Sequence, residues 1–124
     1  MHKSRLSTFV IDCEGTDTDA SAAFWAGALG RKVSNPDGDP NYRLVESTAA
    51  EPMLLVQRVQ HEGRVHLDIE TDNLEAEVAR LEKLGAKRLE FRKRWWVMQA
   101  PTGQKFCIVN PQRGPLGDDA NTWP

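Results

Sequence analysis

Arg64-Val65-His66-Leu67-Asp68-Ile69-Glu70 alternates strictly between apolar and polar residues, and Asp72-Asn73-Leu74-Glu75 then opens a run of helix formers that closes at Gly85. A period of two places Val65, Leu67 and Ile69 on one face of a strand and Arg64, His66, Asp68 and Glu70 on the other. Asp72 followed three residues on by Glu75 has the form of a capping box: Asp72 accepts an amide that would otherwise lack a partner, and Glu75 reaches back. Leu74, Val78 and Leu81, with Leu84 trailing, supply the apolar stripe of the helix. Strands over 87–91, 94–99 and 105–109 complete the segment, the last two joined by Pro101-Thr102-Gly103.

The same order of elements occurs once before. Leu6 to Cys13 reads as a strand in which Phe9, Ile11 and Cys13 alternate with Thr8, Val10 and Asp12. Ala20 to Leu29 reads as a helix, with Ala20, Ala23, Phe24, Gly27 and Ala28 recurring at three- and four-residue steps and Gly30 placed to end it. Asn35-Pro36-Asp37-Gly38-Asp39-Pro40-Asn41 is a turn-rich break, and strands follow over 42–46 and 52–59. Leu29-Gly30-Arg31-Lys32 aligns with Leu84-Gly85-Ala86-Lys87, and Met53-Leu54-Leu55-Val56 with Lys105-Phe106-Cys107-Ile108. A strand, helix and strands unit of this length has one apolar sheet face that it cannot cover alone. Two such units must pack together, or one must pack on a partner chain. The stretch 111–124, with three prolines and two glycines, is expected to be an extended tail.

Composition bounds the function. The chain has 124 residues, 40% of them hydrophobic and 27% charged, with a formal net charge of −2, which suits one domain with one continuous core. Cys13 and Cys107 lie far apart and form no C-x-x-C pair, which excludes zinc fingers, iron–sulfur clusters and disulfide scaffolds. No apolar run approaches the roughly 20 residues that span a bilayer, and the opening residues lack the apolar core of a signal peptide. A cytoplasmic protein with no membrane and no nucleic-acid partner is therefore expected. Arg88, Arg92, Lys93 and Arg94 form a local basic cluster, the pattern of a solvated edge that discourages strand pairing.

The sequence resembles the vicinal oxygen chelate superfamily, which includes glyoxalase I, bleomycin-resistance proteins and extradiol dioxygenases. The resemblance rests on Ala22-Ala23-Phe24-Trp25-Ala26-Gly27-Ala28-Leu29-Gly30, on Val65-His66-Leu67-Asp68-Ile69 with Asp72-Asn73-Leu74, on Leu84-Gly85-Ala86, and on Pro101-Thr102-Gly103-Gln104-Lys105-Phe106-Cys107. The Phe-Trp pair and the Phe-Cys ending look most like the glyoxalase-like subgroup. This implies an α+β fold in which two paired βαβββ modules, about 6–59 and 64–109, form a curved mixed sheet around a cavity with the helices outside. The whole makes a single domain over 1–110. The resemblance also implies a homodimer and a small-molecule ligand. Ala100 and Gln104 depart from the family's Asp-Pro-x-Gly-Asn hairpin.

Metal-dependent relatives are expected to carry four ligands, and the positions carried over by the resemblance are Thr8, Gln57, His66 and Cys107. Only His66 keeps a typical ligand identity. A hydroxyl, an amide, an imidazole and a thiol suit no common divalent ion well, so no cofactor is expected, with a divalent metal at these positions as the lesser alternative, and classical glyoxalase I activity is not implied. Within the cavity His66 is the candidate acid/base group, tuned by Asp68, since a nearby carboxylate favours imidazolium. Cys107, between Phe106 and Ile108, reads as a small buried hydrophobe rather than a nucleophile. Trp95 and Trp96 must face opposite sides of their strand, and Trp96 is the one placed among the cavity residues. The cavity set is thus Thr8, Gln57, His66, Asp68, Trp96 and Cys107. Two functions follow: a metal-independent lyase- or isomerase-type enzyme acting on a small molecule, or a non-catalytic sequestering protein resembling bleomycin-resistance proteins.

Overall fold

A computed structural model describes all 124 residues, beginning with strand β1 (His2–Glu14), helix α1 (Thr18–Leu29) and strands β2 (Val33–Ser34), β3 (Tyr42–Val45) and β4 (Met53–Val59). Strand β5 (Arg64–Thr71), helix α2 (Leu74–Lys83) and strands β6 (Lys87–Arg92), β7 (Trp95–Gln99), β8 (Lys105–Val109) and β9 (Asn121–Trp123) follow. The fold is α+β, and strand, helix and strands do occur twice. The chain divides into two units, residues 8–66 and residues 1–7 with 67–124, so β1 and β5 each contribute to both.

In residues 8–66 the strand order is β2-β3-β4-β1, with β1 parallel to β4 and the other pairs antiparallel. Asp17 caps α1 by accepting from the Ala20 amide at 2.9 Å, and Gly30 ends it in the left-handed region at φ 68°. One face of the sheet is covered by Ala22 and Ala26 of α1, which pack on Val45 and Val56 with Cys13, Trp25 and Leu54 around them. The buried stripe of α1 is therefore Thr18, Ala22 and Ala26 rather than the Ala20, Ala23, Phe24, Gly27 and Ala28 set that spacing suggested, and Phe24 is 64% exposed. The helix carries apolar residues all round, so periodicity does not single out a face. Two alanines one turn apart let the helix backbone approach the sheet, and that selects it.

In the other unit the order is β5-β8-β7-β6, and β9 pairs antiparallel with the first residues of β1, His2 opposite Trp123 and Ser4 opposite Asn121. Val78 and Leu81 of α2 pack on Met98 and Ile108, ringed by Ile69, Leu74, Ala86, Trp96 and Phe106. The cap of α2 is Asn73, which accepts from the Ala76 amide at 3.0 Å. Asp72, the expected cap, instead accepts from the Lys3 amide at 2.8 Å, because β1 runs past it.

Two carboxylates are fully buried here, Glu70 on the face of β5 read as polar and Glu77 on α2. Glu70 accepts from the Gln112 and Arg113 amides at 2.6 and 3.2 Å and from Arg5 Nε at 2.7 Å. Glu77 holds His2 Nε2 at 2.8 Å and takes two bonds from Arg80, both at 2.8 Å. The tail is tied down as well: Trp123 Nε1 donates to Ser4 Oγ at 2.8 Å, and the Arg80 guanidinium lies 3.8 Å over the Trp123 ring. Val65 and Leu67, on the apolar side of β5, are exposed. The strand was read correctly in its alternation, but its polar side is the one that is buried at Glu70.

Candidate functional site

The face of the 8–66 sheet turned away from α1 carries Thr8, Val10 and Asp12 of β1, Leu55 and Gln57 of β4, and Tyr42 and Leu44 of β3, as alternation and register require. Asp12 stands opposite Gln57, and Gln57 opposite Tyr42, so the three form one row across the strands. Within the row Gln57 Nε2 donates to the Tyr42 hydroxyl at 3.0 Å.

Asp12 is 4% exposed, an unusual place for a carboxylate. Its Oδ2 lies 2.8 Å from Nδ1 of His66, whose side chain is 14% exposed, and 3.7 Å from Nε of Arg64. Its Oδ1 is buried and makes no hydrogen bond within the protein. A carboxylate accepts, so the imidazole nitrogen facing it carries the hydrogen, and in the neutral ring Nε2 is left with a lone pair. Asp12 and His66 thus form a dyad in which the carboxylate orients the ring. The turn before β5 closes tightly on β1: a Cβ added at Gly63 would stand 3.2 Å from the Asp12 carbonyl oxygen. Asp12 was not among the residues picked from sequence. Its signal is parity with Val10 on a strand and a charge where the pattern is apolar.

The remaining expected residues are placed as follows. Thr8 is buried on the same face as Asp12 but opposite Met53, four residues from the Asp12–Gln57 row and hence about 13 Å from it along the strand. In the other unit, Asp68 and Cys107 face one another across β5 and β8 on the side away from α2. Trp96 does not belong to that side. It packs on the α2 core with Met98 and Ile108, edge-on to Phe91 at 5.3 Å and under the Arg88 guanidinium at 5.0 Å. Pairing with Ile108 sends Trp96 to the helix side, and Trp95 takes the opposite face. Arg88 of the basic cluster is likewise committed, bonding Glu75 and Glu82, and those bonds hold its guanidinium more firmly charged than an ordinary arginine.

Two of the four positions that the resemblance assigns to a metal, Thr8 and Gln57, do not fit a shared one. Thr8 and Gln57 are separated by four residues of register, too far to share an ion, and Thr8 offers a hydroxyl. Asp12 stands where the register calls for a donor opposite Gln57, yet its Oδ2 is bound to His66 Nδ1. A ring nitrogen bonded to that carboxylate turns the other nitrogen away from it, so Asp12 and His66 Nε2 do not converge on one ion.

Residues 8–109 match the family model described as a glyoxalase-like domain. The chain belongs to the glyoxalase-like family. Three solved structures share its fold. One is the Mn(II)-bound glyoxalase of Novosphingobium aromaticivorans, 17% identical over 95% of this chain and 44% of that one, with a TM-score of 0.62. Another is methylmalonyl-CoA epimerase of Mycobacterium tuberculosis, 16% identical over 86% and 87% of the two chains, with a TM-score of 0.60. The third is a glyoxalase/bleomycin resistance protein/dioxygenase superfamily member from Vibrio splendidus 12B01, 16% identical over 86% and 100%, with a TM-score of 0.56. This glyoxalase-like chain spans under half the length of the Novosphingobium enzyme. No curated protein sequence matches it. None of its helices is long and apolar enough to cross a membrane.

Proposed function

We propose that this glyoxalase-like protein is a metal-independent enzyme of the lyase or isomerase type, and that His66 is the general base that takes a proton from a carbon next to a carbonyl group in a small ligand. The observation that carries the reading is the 2.8 Å bond between Asp12 Oδ2 and His66 Nδ1, made by a carboxylate that is 4% exposed. In the step, the C–H bond breaks, its proton forms a new N–H bond on His66 Nε2, and the electron pair moves onto the carbonyl oxygen as an enolate. Asp12 faces the Nδ1–H throughout and stabilises the imidazolium, the role of an orienting carboxylate behind a histidine base. Return of the proton to a different carbon or face gives isomerisation, and loss of a leaving group gives a lyase. What supports a metal-independent reading is the four-residue register that separates Thr8 from Gln57. In this reading the protein works in the cytoplasm as a homodimer.

The test is solvent exchange. Proton NMR in deuterium oxide follows the loss of the C3 protons of 2-oxobutanoate with full-length protein and with H66A and D12N. Exchange well above the buffer rate is expected for the unaltered protein, background exchange for H66A, and at least a tenfold loss for D12N. Exchange by H66A equal to that of the unaltered protein would remove the base. Ligand-induced stabilisation with no exchange in any variant would favour the sequestering function instead.

A further inference from the structure

We propose that residues 8–66 hold a ligand site separate from the Asp12–His66 dyad, on the α1 side of their sheet, and that it takes a neutral aromatic compound of one or two fused rings. A cavity of about 220 Å³ opens there beside Phe9, Leu29 and Leu54. Its floor is one row across three strands: Phe9 stands opposite Leu54, and Leu54 opposite Val45. Val45 and Leu54 pack with α1, so Phe9 shares their face, whereas Asp12, three residues further along β1, points to the other one.

The cavity exists because α1 stops where it does. Ala22 and Ala26 cover Val45 and Val56, and Gly30, in the left-handed region at φ 68°, turns the chain aside directly after Leu29. No further helical residue follows to cover the Phe9 end of the row, and Phe9 is 39% exposed and Leu29 50% exposed. The opposite wall is the connection over 46–52, where Pro52 and Glu51 line the cavity. That wall is tied to the chain after α1 by Arg31, whose Nη2 donates to both Glu51 oxygens at 2.8 and 3.0 Å.

Size, lining and charge set the ligand class. A cavity of about 150 Å³ takes up benzene, so this larger one has room for a second fused ring. Phe9, Leu29, Val45, Pro52 and Leu54 give it an apolar lining, and the Phe9 ring adds an aromatic surface for stacking or edge contact. At the rim, Arg31 and Lys32 stand against Glu46 and Glu51: Arg31 is bonded to Glu51, and the Lys32 carbonyl accepts from the Glu46 amide at 2.8 Å. The rim therefore offers no excess of either sign, and a charged ligand would give up water there without gaining a counter-ion.

The experiment titrates full-length ¹⁵N-labelled protein with indole and with indole-3-acetate and follows the backbone amides by NMR. Saturable shifts centred on residues 9, 29–31, 45 and 54 are expected for indole, with binding of indole-3-acetate weaker by about tenfold or more. L29A, at an exposed position, and F9A should each weaken indole binding by roughly fivefold or more while keeping the urea midpoint of a folded protein. H66A, on the other face of the sheet, should bind indole as the unaltered protein does. No saturable shift up to the solubility limit of indole overturns the site, as does unchanged binding by both F9A and L29A. Loss of binding in H66A, or shifts centred on residues 12, 57 and 66, also overturns it by placing indole on the opposite face. Equal affinity for indole and indole-3-acetate overturns the assigned ligand class.

Discussion

Replacing Glu70 with leucine tests one of the two fully buried glutamates of the structure. The side chain is fully buried and accepts three bonds, two from the Gln112 and Arg113 amides and one from Arg5, whose side chain is only 10% exposed. Leucine removes every acceptor at once. Breaking a buried pair from one side costs about 3–5 kcal/mol, and each stranded buried amide costs about 1–3 kcal/mol. The sum is an upper bound, because Arg5 keeps Asp119 and the tail relaxes toward water. A net loss of about 4 kcal/mol is the expectation, against a total stability of about 5–15 kcal/mol for a domain of this kind. With about 4 °C per kcal/mol for a domain of this size, the melting temperature should fall by about 15 °C. Urea unfolding followed by tryptophan fluorescence reads the free energy, and amide exchange reads the tail. The Gln112 and Arg113 amides should lose protection before the rest of the domain unfolds. E70Q, which retains one acceptor oxygen, should lose about half as much. A loss below about 1 kcal/mol for E70L, or unchanged protection at residues 112 and 113, would refute the reasoning that this carboxylate anchors the tail.

Glu77 makes stability pH-dependent. Burial alone would raise its pKa, but hydrogen bonds from Arg80, His2 and Ser4, with the Arg80 charge, outweigh burial and hold it below the ordinary glutamate value. Its contribution is therefore fully present above that ordinary value and is lost as pH falls from there through the lower folded value. Urea midpoints should drop more steeply below about pH 4.5 than in E77Q, which has no carboxyl to titrate at that position; parallel curves for the two proteins would contradict this. For the α2 cap, N73A should cost about 1 kcal/mol in thermal unfolding. If D72A shortens the helix by circular dichroism and N73A does not, the assignment is reversed. Gly85 sits at φ 105°, and an added Cβ would meet Pro101 Cγ at 3.1 Å. G85A should therefore destabilise by about 1–2 kcal/mol, and a neutral result would contradict the strain.

The fold was legible where pattern and punctuation agreed. Strict alternation over 64–70, turn residues at 35–41 and 101–103, and the two Leu-Gly helix ends place most elements within a residue or two. The start of β1 was not legible, because His2, Lys3, Ser4 and Arg5 have no apolar rhythm. They form a strand because β9 pairs with them and because Glu77 and Glu70 satisfy His2 and Arg5. β9 escaped notice for the matching reason: three residues in a proline- and glycine-rich tail carry no period, and only Trp123 docking on Ser4 and Arg80 shows their place.

At the site, His66 could be picked by residue type and face, but its partner could not. Asp12 is 54 positions away, and only strand register brings it opposite Gln57 and excludes Thr8. Register depends on how whole strands slide, which local sequence does not encode. The choice between Trp95 and Trp96 was a matter of parity, and it turned on which of them opposes Ile108.

The measurement that bears most directly on the central claim is the tautomer of His66, read from long-range proton–nitrogen correlations of the ring at a pH where it is neutral. If Asp12 orients the ring, Nδ1 carries the hydrogen and Nε2 is bare, and in D12N that preference weakens or reverses. A neutral ring with the hydrogen on Nε2 in the unaltered protein would contradict the account, since the position assigned to take a substrate proton would already hold one.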